Sequence, residues 1–306
     1  MNFQQLEYIL AVRQHRHFGK AAEACHVTQP TLSMMIQKLE DELDTKIFDR
    51  SKQPVVPTIT GELLIEQAQR ILLEVAQMRD LLRQQKRSLT GMLQVGIIPT
   101  LAPYLVHRFI HIFLAKYPGI QLSLSEFTTA TIVKQLKEGQ LDVGILVTPL
   151  NDNAIRETPL FYEPLLAYTS YPYEKSYLLA EDINPEELLL LEEGHCLRSQ
   201  IMNLCELRKQ SSSRLHYQTG SLETLIRLVG TGHGITILPA LAVETLSEEQ
   251  RGRIVPFHPP SPVREVSLAT HRDFLKNDLI AALKEEILAS VPESFKNATD
   301  TVRIAI

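Results

Sequence analysis

The chain has 306 residues, 44% apolar and 22% charged, with a formal net charge of −5 and three cysteines. That length suits two or three units, each able to bury its own core, and the composition is neither that of a disordered chain nor of a disulfide-stapled scaffold. No apolar run approaches the roughly 18 residues of a membrane span, the N-terminus is not a signal peptide, and the acidic balance excludes nucleic-acid binding by bulk charge.

No membrane partner is expected, and the expected compartment is the reducing cytoplasm. There a cysteine pair is more often catalytic or redox-sensing than structural.

Taken in chain order, Phe3, Leu6, Ile9, Leu10 and Val12 recur at helical spacing and predict an amphipathic first helix. Phe18 to Cys25 is a short Ala-rich helix whose small side chains allow a neighbour to approach closely. His26-Val27-Thr28 is the turn, and Gln29 to Leu39 the next helix, with Thr28 as N-cap and Pro30 in the first turn, where its missing N–H costs little. Leu32, Ile36 and Leu39 point to the core at i, i+4, i+7. Gln29, Thr31, Ser33, Gln37 and Lys38 fall on the opposite face, a polar surface fit for base edges and phosphates. This is a helix-turn-helix pattern; the plain alternative is a small helical domain with a polar surface. Residues 1–58 hold seven Lys/Arg and seven Asp/Glu, so DNA binding here depends on charge being segregated on the surface.

Lys46 to Arg50, a Pro-rich loop through Pro57, and Thr58-Ile59-Thr60 read as a wing. Thr60-Gly61-Glu62 then opens a helix to about Arg87. Its stripe of Leu63, Leu64, Ala68, Ile71, Leu72, Val75, Met78 and Leu82 suggests a dimerisation seam. The segment F-x-x-A-A-x-x-x-x-V-T-Q-P-T-L-S-x-x-I-x-x-L-E-x-E-L from Phe18, followed by I-F-x-R at 47–50 and T-x-x-G at 58–61, resembles the N-terminal domain of LysR-type transcriptional regulators. The resemblance covers about sixty residues. It implies a winged helix-turn-helix with Gln29, Pro30, Thr31, Ser33 and Lys38 on the DNA-facing helix, beside the Gln37 that the helical pattern puts there, and Arg50 on the wing. It also implies a linker helix that dimerises and an effector domain of periplasmic-binding-protein type.

Beyond the polar hinge at 86–91 the pattern becomes strand–helix alternation. Strands are expected at 93–97, 120–125, 141–147, 165–169, 215–217, 235–238 and 266–270. Helices are expected at 101–117, 131–138, 222–229 and 275–288, with a short helical segment at 185–190. Two α/β halves with a cleft between them fit a Rossmann-like pair. The expected fold class is therefore α/β: a winged helix-turn-helix over 1–58, a linker helix and hinge over 59–90, and an effector domain over 91–306. Its subdomains would be about 91–161 plus 266–306, and 162–265; the resemblance returns the last strand and helix to the first. The tail after Pro292 is expected to be polar and loose. Thr100 and Thr129 each lie just before a helix, where N–H groups can meet a small polar guest; simple N-capping is the plainer reading.

Cys196 and Cys205 form a C-x8-C pair, with His195 before the first cysteine and Arg198 two residues after it. Buried structural thiols are one reading. A metal site is weak, because one His and two widely spaced Cys supply at most three ligands; no metal and no cofactor is expected. The redox reading rests on local chemistry: His195 and Arg198 can place positive charge near Cys196, whereas Met202, Leu204 and Leu207 surround Cys205 with apolar groups. Nine residues of continuous helix hold the two Cα atoms roughly 13 Å apart, and a disulfide tolerates no more than about 7 Å. Closing the bond therefore requires the segment to refold.

The run from Leu188 to Cys205, with V-G-x-I-P-T at 95–100, S-L-E-T-L at 221–225 and G-I-T-x-L-P-A-L-A-V at 234–243, is similar to the peroxide-sensing branch of the LysR-type family over essentially the whole chain. That resemblance implies Cys196 as peroxidatic and Cys205 as resolving, with Thr100, Thr129, His195, Arg198, His216 and Arg264 shaping the peroxide site. It implies a regulator, not an enzyme, acting on double-stranded DNA as a homotetramer built from two dimers. Hydrogen peroxide, RNA polymerase and a cellular thiol reductant are the further expected partners. Ser199 stands where an acidic residue is common in the branch, so a carboxylate role there does not carry over. Cys25 is expected to be packing. The alternatives are a LysR-type regulator answering an organic co-inducer, and a thiol peroxidase.

Overall fold

The computed structural model describes residues 1–84, 89–173, 175–206, 219–232, 234–274, 277–297 and 300–305. They fall into two compact units, Met1–Arg87 and Ser88–Ile306. No helix among the described residues is long and apolar enough to cross a membrane.

The first unit contains α1 (Phe3–His15), α2 (Phe18–Ala24), α3 (Gln29–Glu42), the two-residue strands β1 (Phe48–Asp49) and β2 (Val56–Pro57), and α4 (Ile59–Gln84). Each short helix has a definite start. Asn2 and Gln5 form a reciprocal cap on α1, His17 Nδ1 accepts from Gly19 and Lys20, and Thr28 accepts from Thr31. Leu6, Ile9 and Val12 of α1, Ala21 and Ala22 of α2, and Leu32, Ile36 and Leu39 of α3 meet in one core with Ile47, Phe48, Ile65 and Ala68. The second wing strand is Val56–Pro57 and not the predicted 58–60. The reason is Thr58: its N–H bonds the Ile47 carbonyl, its hydroxyl donates to the Lys46 carbonyl, and the same oxygen accepts from Gly61, so the chain turns into α4 at once. A Cβ on Gly61 would lie 2.0 Å from the Ile47 carbonyl oxygen, which accounts for the glycine of the T-x-x-G motif.

The second unit contains β3 (Gly91–Ile97), α5 (Ala102–Lys116), β4 (Ile120–Glu126), α6 (Thr129–Lys137), β5 (Val143–Thr148), β6 (Ile155–Thr169) and α7 (Cys196–Leu204). Then come α8 (Leu222–Gly230), β7 (Ile235–Pro239), α9 (Ala240–Val243), α10 (Glu248–Arg251), β8 (Ile254–Pro256), β9 (Ser261–His271), α11 (Asn277–Ser290) and β10 (Thr301–Arg303). The strand order is β4-β3-β5-β9-β6-β7, with β8 on β6 and β10 on β9. β3 runs parallel to β4 and β5, as strand–helix–strand connections require, while β9 is antiparallel to both β5 and β6. Together with the helical linker, this is the winged helix-turn-helix and periplasmic-binding-protein-like architecture expected from the sequence. The long antiparallel pair β6–β9 sets Glu163 directly opposite Arg264.

Three expectations are corrected. Residues 185–190 form no helix; they run as turns and extended chain, and Leu188 bridges Ile235 of β7. A Cβ on Gly234, which has φ +65°, would lie 2.1 Å from the Glu187 carbonyl oxygen, so β7 approaches this segment backbone to backbone. The described residues after Pro292 are not loose: Phe295 is buried and stacks on Phe161, and β10 pairs in parallel with β9. Apolar side chains at Phe295 and Ile304 outweigh the polar residues between them. Strand β6 also begins ten residues before the expected 165, because Pro159 and Pro164 disguise it; a register shift between Pro159 and Phe161 accommodates the break. The predicted strand at 215–217 lies outside the described residues.

Candidate functional site

Helix α7 starts at Cys196 and ends at Leu204, with Cys205 as its C-cap, and the following residue, Glu206, takes φ 53°. Cys196, Leu197, Gln200 and Ile201 form the buried face, a helical spacing that presses the start of α7 into the core. Both cysteines are thiols. Because one opens the helix and the other caps it, their Cα atoms are roughly 13 Å apart along a continuous turn-by-turn path.

Four features meet at the Cys196 sulfur. Burial is the largest influence and pushes the thiol above its ordinary value. The Arg264 charge opposes it most strongly, followed by the Thr129 hydroxyl and by the backbone N–H groups of Leu197 and Cys196 at the start of α7. Thr129 Oγ1 is buried and completes no hydrogen bond of normal geometry, so its hydroxyl is unspent beside the sulfur. Cys205 receives no such help: burial alone pushes its thiol up to about 11.

Arg264 is fully buried on β9. Its Nε donates to Glu163 Oε2 at 2.9 Å, Nη1 to the Thr100 hydroxyl at 3.0 Å and Nη2 to the Thr100 carbonyl at 3.2 Å. Glu163, also fully buried, uses its other oxygen to accept from the Leu241 N–H at the start of α9, at 2.9 Å. The guanidinium is therefore held on every side by fixed partners, as a desolvated charge must be. Neither Thr100 nor Thr129 caps a helix. Leu101 and Thr128 occupy the N-cap positions of α5 and α6; the Thr100 hydroxyl meets Arg264, and the Thr129 hydroxyl acts on Cys196 without a hydrogen bond of normal geometry.

The residues flanking the cysteine have partners of their own. Arg198 Nη1 donates to the Leu191 carbonyl at 2.9 Å, securing the approach to α7. His195 is buried, with Nε2 3.8 Å from Glu192 Oε1, an ion pair when the imidazole is protonated. The cation acting most strongly on Cys196 thus comes from a strand 68 positions further along, not from its sequence neighbours. His216 lies outside the described residues. Glu163 escaped sequence reasoning; a carboxylate between apolar residues of a strand was its only signal. Among the described residues no cluster of three His, Cys, Asp or Glu side chains could hold a metal ion.

On the first unit, Gln29, Pro30, Thr31, Gln37 and Lys38 are exposed on α3, as is Arg50 beyond β1, with Ser33 half-buried. Arg50 donates to Ser33 Oγ at 3.1 Å and to Glu40 at 3.3 Å, and lies over the Phe18 ring. Glu40 is almost wholly buried. Its Oε1 accepts from the Ile47 and Phe48 N–H groups, while its Oε2 pairs with Arg50 and Lys46. One carboxylate thus fixes the wing to α3. The half-buried Cys25 packs on this unit's core.

Comparison with known proteins agrees with this geometry. Residues 3–62 match the family described as bacterial regulatory helix-turn-helix protein, lysR family, and residues 86–292 the LysR substrate binding domain. The chain is 40% identical over 271 residues to a hydrogen peroxide-inducible genes activator of Pectobacterium carotovorum subsp. carotovorum, covering 88% of this chain and 89% of the relative. It is also 40% identical over 273 residues to the DNA-binding transcriptional dual regulator OxyR of Escherichia coli, covering 88% of each. A full-length OxyR variant from Pseudomonas aeruginosa superposes with TM-score 0.78 at 35% identity, covering 94% of both chains. The OxyR structure from Porphyromonas gingivalis does so with TM-score 0.66 at 33% identity, covering 70% of this chain and all of that one. The chain belongs to the LysR family of transcriptional regulators and, within it, to the OxyR subfamily of DNA-binding regulators of the oxidative-stress response.

Proposed function

We propose that this regulator is switched by hydrogen peroxide at Cys196. The observation that carries the proposal is the set of groups converging on that sulfur, Arg264, Thr129 and the α7 N-terminus, with a second thiol at the other end of the same helix. Thr100 Oγ1 accepts from Arg264, so its own O–H is left to donate to a peroxide oxygen. The Cys196 thiolate attacks one oxygen of peroxide. The S–O bond forms as O–O breaks, sulfur gives up two electrons, and the departing hydroxide leaves as water after taking a proton. Cys205 sulfur then attacks the sulfenic acid, forming S–S as S–O breaks and releasing a second water. His195 and Arg198, which flank the cysteine at the start of α7, shape the approach to it, and His216 is assigned to the peroxide site by the family resemblance alone.

The disulfide cannot span an intact α7, so closure unwinds it and repacks the effector unit, changing the DNA contacts made by Gln29, Pro30, Thr31, Ser33, Gln37, Lys38 and Arg50. We read the chain as residues 1–58 for DNA, 59–90 as linker, and 91–306 as effector, with halves at about 91–161 plus 266–306 and 162–265. The exposed Ile59 and Leu63 on α4 support dimerisation through that helix. The working form is a dimer of dimers on double-stranded DNA, acting with RNA polymerase and reset by a cellular thiol reductant. Mass spectrometry of the peptide spanning 195–208 tests the chemistry. Stoichiometric peroxide should convert two free thiols into one intramolecular disulfide; two alkylatable thiols after peroxide would refute it.

A further inference from the structure

The residues between the two cysteines are tied to a distant segment that the redox chemistry does not use. Gln200 Nε2 donates to the Ile304 carbonyl at 2.9 Å, and Asn203 Nδ2 to the Ala305 carbonyl at 3.2 Å. The two side chains are three residues apart on α7, and the two carbonyls are consecutive in the chain. The same segment is anchored to β9 by the parallel pairing of Thr301–Arg303 with Ser261–Val263 and by the bond from the Ile304 N–H to the Val263 carbonyl at 2.9 Å. Arg303 Nη1 adds an ion pair to the buried Glu265 at 2.7 Å, one residue from Arg264.

We infer that the segment Thr301–Ala305 is a latch on the redox helix, with Gln200 and Asn203 as the positioning residues through which it restrains disulfide closure. The inference rests on the peroxide reading above. Its argument is geometric. Two amide donors at i and i+3 lie on one face only while the backbone is helical. Bringing the sulfurs from roughly 13 Å to disulfide distance unwinds the turn that spaces them, and the two donors cannot both follow. Gln200 is fully buried, and its Oε1 already lacks a hydrogen-bond partner. Losing the Ile304 carbonyl would leave its amide unsatisfied unless the side chain moves out of the core. The latch therefore favours the dithiol helix. It does not touch the Cys196 sulfur, so it acts on the second chemical step, attack of Cys205 sulfur on the sulfenic acid with loss of water, and not on the first.

The test separates those steps in the full-length protein. In a Cys205→Ser background, Asn203→Ala and a chain ending at Arg303 should form sulfenic acid with peroxide at the rate of their parent. With Cys205 present, each change should speed disulfide closure about tenfold in acid-quenched mass spectrometry. A tenfold gain in the equilibrium constant corresponds to a potential about 30 mV more negative in glutathione buffers. Adding Asn203→Ala to the truncation should change little, because the truncation already removes the Ala305 carbonyl that Asn203 meets. Unchanged or slower closure, or fully additive effects, would overturn the latch. Asn203 is exposed, so Asn203→Ala is expected to leave the core packing intact and give a folded variant. If peroxide failed to oxidise even the unmodified chain, the glutathione equilibrium would still read the latch by itself.

Discussion

Arg264 holds Thr100 by two hydrogen bonds, one to its hydroxyl at 3.0 Å and one to its carbonyl at 3.2 Å, across 164 positions of sequence. This contact binds β9 to the turn two residues before α5. It also places a fixed guanidinium where it favours the Cys196 thiolate.

Arg264→Met should raise the Cys196 thiol further, because the largest influence opposing burial is lost. The variant also strands Glu163 as an unpaired buried carboxylate, a cost of about 3–5 kcal/mol where one partner of such a pair is removed. Alkylation rate against pH, measured with Cys205 replaced by Ser, should shift to higher pH, and peroxide oxidation at pH 7 should slow by at least tenfold. Arg264→Lys keeps the charge but not the fork of donors, so its profile should lie between the two.

Part of the alkaline pH dependence of stability follows from Cys205. Its folded thiol is raised from 9.0 to about 11, so the folded state holds the proton more tightly than the unfolded state. The associated stability is fully present below about 9 and is lost as pH rises from there toward 11. Urea unfolding of the reduced protein should show the midpoint of the effector transition falling across that window. In Cys205→Ser this fall should be smaller. An equal fall in both proteins would mean that the Cys205 thiol is not the group responsible.

Glu40 is predicted to matter more than any surface charge in the first unit. Glu40→Ala removes the acceptor for the Ile47 and Phe48 N–H groups and frees Arg50 from its anchor. Two orphaned amides imply a loss of about 2–4 kcal/mol. Calorimetry should show the transition of the DNA-binding unit lowered while that of the effector unit stays in place.

Lys38 is exposed on the DNA-facing side of α3. If it meets a phosphate, Lys38→Ala should weaken binding to specific and unrelated DNA alike and lower the slope of log K against log salt by about 1. Gln37→Ala should instead relax discrimination between operators, with the salt slope unchanged. Fluorescence anisotropy titrations at several salt concentrations distinguish the two.

The parts of the protein that were legible in the sequence are those set by local rules. Thr28, Pro30 and the i, i+4, i+7 stripe of Leu32, Ile36 and Leu39 are enough to write α3, and Cys196 and Cys205 show a helix too long for their bond. What escaped was non-local. Glu163 and Arg264 meet only because β6 and β9 pair in one register, 101 positions apart. The residues around Cys196 offer only His195 and Arg198 as cations; Arg264, which the family resemblance implies, reaches the site because β9 carries it there. The last segment looked loose because its apolar anchors, Phe295 and Ile304, are separated by polar residues, and its partners Gln200 and Asn203 lie some hundred positions away.

The central claim is that oxidation at Cys196 changes how the protein meets DNA. The most direct test is a footprint of the full-length protein on its operator, before and after stoichiometric peroxide, for the unmodified chain and for Cys196→Ser. The account predicts that the footprint changes in extent or spacing for the unmodified chain, reverts with a thiol reductant, and stays in its reduced form for Cys196→Ser. A peroxide-dependent footprint that persists in Cys196→Ser would contradict it.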